Sequence, residues 1–434
     1  MKSARQTVLD LLIKMHRNGA YSNIVLDNTF STEKLSNRDR AFATMLFYGV
    51  IERKMTLDYI IRLYSSVEFD KIDTDVLQLL RMGLYQLLYT SVPESAAVNE
   101  SVGLAAPARR GFINGILRSF LRDGKNIDYK DLDGVAKMSV EYSCPKWLIK
   151  KWTEMLGEEK TVEILKDSFG RPPLFVKVNT LRCTADQLIS EFSKEKIEAK
   201  KNPLLDDCLE IGNVHQIEAT NAYRKGLFHV QDISSQLCCR VAKPMFNDTV
   251  IDVCAAPGGK TFTMAEMMAN RGKILSFDLY DGKISMIRKG AKRLGISIVS
   301  AQVHDATQFD NNIPLADKVL CDTVCSGLGV IRRKPEIKYK EMKNIEQLPL
   351  VQKHILSTAS RYVKMGGTLI YSTCTLNTEE NEKVVEQFLS ENRGFSPVVV
   401  PIGISGVEDA CMRTFLPSVT GGDGFFAATL RRVK

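Results

Sequence analysis

The stretch Thr249-Val-Ile-Asp-Val-Cys-Ala-Ala-Pro-Gly-Gly-Lys-Thr261 decides the fold. It opens as a short β-branched apolar run, breaks at a turn of small residues and leads into a segment of helical character. Downstream, the runs Lys273-Ile-Leu-Ser-Phe-Asp278, Ser297-Ile-Val-Ser-Ala-Gln-Val303, Asp317-Lys-Val-Leu-Cys-Asp322 and Gly367-Thr-Leu-Ile-Tyr371 repeat the apolar pattern. Helical segments, among them Thr263 to Ala269 and Lys283 to Leu294, separate most of them. This alternation predicts a mostly parallel, doubly wound sheet, a Rossmann-like α/β domain over residues 231–434.

Working upstream, the period changes. Residues 1–125 read as all-helical: Val8, Leu11, Leu12 and Met15, then Ala41, Met45, Tyr48 and Val50, recur at helical spacing, and Val76 to Leu88 is a third apolar helix candidate. From about Asp123 to Glu141 the text is polar, with Gly124, Asp131, Asp133 and Gly134, and reads as a linker. A small α+β connector over 140–230 follows, with a helix at Pro145 to Leu156, a strand at Leu174 to Asn179 and a helix at Thr184 to Phe192.

At 434 residues the chain is too long for one core, and 44% apolar residues suffice to fill two or three. The net charge of +8 suits a phosphate-bearing partner without singling one out. No run reaches the roughly 18 apolar residues of a membrane helix, and the N-terminus opens an amphipathic pattern unlike a signal peptide. Ten scattered cysteines without a Cys-x-x-Cys pair argue against a disulfide framework and a zinc site. A cytoplasmic, metal-free monomer with reduced thiols is the expectation.

In a doubly wound sheet, ligands bind at the carboxyl ends of the strands. The turn Cys254, Ala255, Ala256, Pro257, Gly258, Gly259, Lys260 stands at such an end. Its glycines admit a ligand close to the backbone, and the helix start offers N–H groups. Asp278 closes the next strand twenty residues after Gly258, Asp305 follows the third and Asp322 ends the fourth. A dinucleotide fold would want Gly-x-Gly-x-x-Gly, and only Gly258-Gly259 is present. A P-loop would want glycine where Cys254 stands. S-adenosylmethionine needs only close backbone approach and carboxylates around its ribose and adenine, and fits best. A purely structural turn is the competing reading.

Two cysteines stand at neighbouring strand ends, Cys325 in Asp322-Thr-Val-Cys-Ser-Gly-Leu-Gly329 and Cys374 in Tyr371-Ser-Thr-Cys-Thr375. Singly, such cysteines are more often small buried hydrophobes. Beside a cofactor turn they suit a particular chemistry: carbon 5 of cytosine becomes nucleophilic only after something adds to carbon 6, and a thiolate can do so. A carboxyl at Asp322 can hydrogen-bond the ring's N3 edge, and the second thiol can assist release.

At these residues the sequence resembles the NOL1/NOP2/Sun family of RNA cytosine-5 methyltransferases. Its cofactor motif stands at Asp252 to Thr261, and its nucleophile motif at Thr373-Cys374-Thr375 with Glu379-Glu380-Asn381. Val178-Asn-Thr-Leu-Arg182, Gln231-Asp-Ile-Ser-Ser-Gln236 and Gly421-Gly-Asp-Gly-Phe-Phe426 look like further signatures, so the match covers roughly 140–434. Ala97-Val-Asn-Glu-Ser-Val102 and Gly111-Phe-Ile-Asn-Gly-Ile-Leu-Arg118 resemble the antitermination factor NusB. The resemblance implies methylation of a cytosine in 16S ribosomal RNA, cofactor contacts from Cys254 to Lys260 and from Asp278, Asp305 and Asp322, and Cys374 as nucleophile. A transfer-RNA substrate, or a non-catalytic assembly factor on the same fold, are the competing readings.

The family usually writes Asp-Ala-Pro-Cys where this chain has Asp322-Thr-Val-Cys325. Loss of the proline frees a backbone angle, so a looser turn and slower release are expected. The basic run Arg332-Arg333-Lys334 is a candidate phosphate contact, or a solvated loop. Phe425-Phe426, His229 and His304 read as structural.

Overall fold

The computed structural model describes residues 2–18, 22–33, 35–212, 214 and 216–434. These form two compact units. One runs to Gly170 and takes in Ile331–Tyr339; the other comprises Arg171–Val330 and Lys340–Lys434.

The first unit is helical, built around the helix Thr74–Tyr89. Every residue from Val76 to Leu87 on it is buried, so it is wrapped on all sides. Helices Ala4–Asn18, Asn37–Glu52, Lys54–Tyr64, Glu94–Gly103 and Pro107–Arg122 pack around it. The buried cation Arg81 is held by Asp58 through two bonds of 2.6 and 2.8 Å, a bidentate pairing that satisfies the guanidinium's fork.

The polar stretch expected as a linker is instead partly helical. Gly134–Glu141 is a helix started by Asp133, whose carboxylate accepts from the Ala136 amide at 2.6 Å. Ala136, Ser139 and Val140 form its buried stripe, and the Thr56 hydroxyl reaches the Val140 carbonyl at 2.5 Å. The buried residues recur at i, i+3 and i+4, but the helix is only two turns long and one of the three is a serine, so no apolar stripe stands out in the sequence.

The segment Ile331–Tyr339 is rooted in this helical unit. Glu336 accepts from the amide and hydroxyl of Ser22 at 3.0 and 2.9 Å. The buried Lys338 donates to the Glu52 carbonyl at 2.8 Å, and the Tyr339 hydroxyl to the Ile51 carbonyl at 2.9 Å.

In the second unit β1 (Leu174–Val178), β2 (Glu198–Lys201), β3 (Cys208–Gly212) and β4 (Phe228–Val230) form an antiparallel sheet in the order β2-β3-β1-β4. Helix Ala185–Lys194, with a capping box between Thr184 and Gln187, covers it. The larger sheet contains β5 (Thr249–Asp252), β6 (Lys273–Asp278), β7 (Val299–Val303), β8 (Ala316–Asp322) and β9 (Val363–Thr373), all parallel. β10 (Phe395–Pro397), β11 (Met412–Phe415) and β12 (Phe425–Arg432) extend it antiparallel, giving β10-β12-β9-β8-β5-β6-β7 with β11 on β12. The expected Rossmann-like sheet is present, with an antiparallel flank that the apolar runs did not announce.

The chain order reverses at β5, which lies between β6 and β8. Such a switch point opens a crevice at the strands' carboxyl ends. The turn after β5, the end of β8 and the end of β9 therefore meet.

Candidate active site

The turn after β5 is set by its glycines and a cis Ala256–Pro257 bond. Gly258 has φ +108°, and a Cβ there would stand 2.5 Å from the Phe262 ring, so no side chain fits. Gly258 caps helix Gly259–Met267 without a side-chain bond, leaving backbone amides at the helix start. Beneath the turn, the buried Asp252 accepts from the Thr261 hydroxyl at 2.8 Å. Burial pushes Asp252 up to about 7, against the pull of that bond.

The sheet brings the sequence-selected carboxylates to this end. Asp278, nearly buried, accepts from the Ala256 amide at 3.3 Å and has Lys283 at 3.3 Å. Asp305 accepts from the amide and hydroxyl of Thr307 at 2.9 and 2.7 Å, bonds that hold it below the ordinary carboxylate range. Asp322 accepts from Lys260 at 2.6 Å and from the Ser372 hydroxyl at 2.8 Å. Lys260 also sits 4.7 Å from the centre of the Phe425 ring. Burial opposes its charge, yet Asp322 and then Cys238 hold it above the usual lysine value.

Cys325 and Cys374, 49 residues apart in sequence, lie with their sulfurs 3.3 Å apart. Both are free thiols, outside any disulfide, and the two differ. The bond from Cys325 draws Cys374 below the ordinary thiol value, despite burial. Cys325 is raised, by that same bond first and then by burial. The contact follows from β8 and β9 being neighbours, with Asp322 opposite Ser372.

The turn that lacks the family's proline is tied at three of its residues. The Thr323 amide donates to the Ser372 carbonyl at 3.1 Å, Gln352 donates to the Val324 carbonyl at 2.9 Å, and the Ser326 amide donates to Glu380 at 2.8 Å. Farther on, the Gly329 amide donates to the Cys374 carbonyl at 3.0 Å and the Gly424 amide to the Gly329 carbonyl at 2.8 Å. A Cβ on Gly329 would lie 2.0 Å from the Gly424 carbonyl oxygen, so glycine is required for this approach. The signatures around Gln231 and Gly421 also meet: Asp232 accepts from the Asp423 amide at 3.1 Å, and Ser234 and Thr420 share a 3.1 Å hydroxyl contact.

Other candidates lie elsewhere. Arg332, Arg333 and Lys334 are on the segment that packs with the helical unit, where each engages protein groups and Arg332 acts on Asp167. His229 is buried, 3.2 Å from the Thr263 hydroxyl and 3.5 Å from Glu266, which Lys177 pairs at 2.7 Å. His304 lies 2.9 Å from the Gln308 carbonyl. Ser326, Gln352 and Ser372 received no role from the sequence. For the Ser326 partner Glu380, the quoted Glu379-Glu380-Asn381 motif was the available signal; Gln352 had none.

Similarity to known proteins covers the whole chain. The family model of the 16S rRNA methyltransferase RsmB/F matches residues 240–431, that of the NusB family residues 2–122, and a RsmF/B-like ferredoxin-like domain residues 144–218. The chain is 36% identical to the Bacillus subtilis protein named probable ribosomal RNA small subunit methyltransferase B, over 99% of both chains. It is 30% identical to ribosomal RNA small subunit methyltransferase B of Klebsiella pneumoniae, over 92% of this chain and 91% of that one. Among solved structures, PH0851 is 25% identical with a TM-score of 0.80 over 98% of both chains. NSun6 from Pyrococcus horikoshii, solved with SFG, is 25% identical with a TM-score of 0.61, over 67% of this chain and 98% of that one.

Proposed function

The chain belongs to the ribosomal RNA small subunit methyltransferase B family, and on that basis we propose that it methylates carbon 5 of a cytosine in 16S ribosomal RNA, with Cys374 as nucleophile. The observation that carries the reading is the 3.3 Å Cys325–Cys374 contact at adjacent strand ends, beside the glycine turn. In this reading residues 1–125 dock, the connector over 140–230 holds RNA, and 231–434 catalyse.

The site suits S-adenosylmethionine. Backbone amides at the start of helix Gly259–Met267 match its amino-acid carboxylate. The Cys254–Lys260 turn allows close approach, and Asp278, Asp305 and Asp322 are the carboxylates for its ribose and adenine surroundings. SFG, an analogue of this cofactor, accompanies the NSun6 structure. When bound, the cofactor supplies an electrophilic methyl group.

The protein's own part concerns the base. The target must be unpaired or flipped to expose carbon 6. The Cys374 thiolate adds there: an S–C6 bond forms and the C5–C6 π pair moves to C5, which takes the methyl. Removal of the C5 proton to a base returns its pair to the ring, and the C6–S bond breaks with Cys374 leaving as thiolate. Cys325, 3.3 Å from Cys374, assists that departure as the proton donor. Asp322, fixed by Lys260 and Ser372, serves the N3 edge.

The test is methyl transfer from labelled S-adenosylmethionine to 16S ribosomal RNA stripped of its modifications, with nucleoside analysis, for wild type and Cys374→Ala. 5-Methylcytidine from wild type alone is the expected result. Label on transfer RNA instead would overturn the substrate assignment, and label on neither would favour a non-catalytic assembly role.

A further inference from the structure

Behind the two thiols lies a carboxylate with no role in the steps above. Glu380 is fully buried in the loop between β9 and helix Glu382–Glu391. Four neutral donors close on it. Oε1 accepts from the Ser326 hydroxyl at 2.5 Å and the Asn377 amide at 2.8 Å. Oε2 accepts from the Ser326 backbone amide at 2.8 Å and the Gln352 side chain at 2.9 Å. An ionised carboxyl only accepts, and the four donors equal its about four lone-pair sites in number.

The bonds reach both reactive turns. Ser326 follows Cys325 directly, and its hydroxyl also lies 2.7 Å from that of Thr375, which follows Cys374. The next residue in the loop completes the clamp: Asn381 accepts from the Thr373 hydroxyl at 2.6 Å and donates to the Thr375 carbonyl at 2.9 Å. Gln352 carries the same network to the Val324 carbonyl. One carboxylate thus holds the residue after Cys325 directly and, through the Ser326 hydroxyl, the residue after Cys374, though β8 and β9 end in separate loops.

We propose that Glu380 is the positioning residue of the cysteine pair: its buried carboxylate locks the turns at Ser326 and Thr375 at the 3.3 Å sulfur spacing at which Cys325 can donate its S–H to Cys374, and so decides which thiol is the attacking one. The proposal rests on the reading of Cys374 as nucleophile. The charge acts in the same sense as the geometry. Beyond the Cys374 bond and burial, the negative charge of Glu380 helps hold Cys325 in its protonated form. A buried charge fixed on one side of a thiol pair makes the two sulfurs unequal before any substrate arrives.

The experiment uses the full chain without RNA or cofactor. Wild type, Glu380→Gln, Glu380→Asp and Ser326→Ala are treated with iodoacetamide across pH, and peptide masses give the alkylation rates of Cys374 and Cys325. Wild type is expected to favour Cys374. Glu380→Gln keeps the shape but removes the charge and turns a donor toward donors, so the preference should fall about tenfold, the equivalent of one pKa unit. Glu380→Asp should restore part of it. Ser326→Ala, which keeps the carboxylate and cuts its link to Thr375, should lose selectivity while folding normally. In methyl transfer, Glu380→Gln should lower kcat about 100-fold with KM for RNA nearly unchanged, as a misplaced nucleophile does. Wild-type selectivity and pH profile in folded Glu380→Gln, or in Ser326→Ala should the former fail to fold, overturns the proposal. Because alkylation needs no substrate, absence of methylation by wild type would sink the proposed reaction alone and leave the selectivity result to decide the role of Glu380.

Discussion

Lys260 donates to Asp322 across 2.6 Å and so ties the glycine turn after β5 to the end of β8, 62 residues later. The pair is mostly shielded, with side-chain exposures of 12% and 25%. Lys260→Met leaves Asp322 without its cation. Removing one partner of a fully buried pair costs about 3–5 kcal/mol, and partial exposure brings this to roughly 2 kcal/mol here. Denaturant unfolding should show that loss, and methyl transfer should fall about 100-fold as Asp322 loses its fixed position.

Cys325→Ala removes the thiol that faces Cys374 and leaves the attacking sulfur in place. Addition to carbon 6 should proceed while release slows by about 100-fold. A protein–RNA complex that survives denaturing electrophoresis is the expected product, and Cys374→Ala should form none. Equal behaviour of the two variants would contradict their separate tasks.

Val324→Pro restores the residue common in the family. The turn is already held through Thr323, the Val324 carbonyl and Ser326, none of which needs the Val324 amide. Single-turnover and steady-state rates are therefore expected within about twofold of wild type. A faster steady state alone would show that the missing proline does slow release.

Lys338 supplies a pH test of the helical unit. Burial pushes its ammonium down to about 8 from the ordinary 10.5. Between these values the unfolded chain holds a proton that the folded chain has released, so stability rises with pH across this window. Below pH 8 both states are protonated and the full cost remains. Relative to Lys338→Met, wild type should gain roughly 3 kcal/mol of stability between pH 7 and 10.5. A pH-independent difference in melting would contradict the buried placement.

The sequence by itself determined what depends on local pattern. Apolar runs alternating with helices announced the parallel sheet, and the small-residue turn at Cys254–Lys260 announced a ligand site, because side-chain period and backbone freedom are properties of neighbours in the chain. Local pattern misread residues 134–141, a helix of only two turns that follows the polar Asp131–Gly134 run and buries a serine among its three inner residues, and it did not announce β10 to β12. Tertiary structure alone decided the rest. Cys325 meets Cys374 because β8 and β9 pair in a particular register, Lys260 meets Asp322 because β5 lies beside β8, and Gln352 reaches Glu380 from a helix without any motif. The same holds for Ile331–Tyr339, which packs with the helical unit although it lies between β8 and β9 in sequence. Strand order and burial are non-local: they follow from which apolar faces cover one another, and only the folded chain brings residues 49 or 62 positions apart within hydrogen-bonding distance.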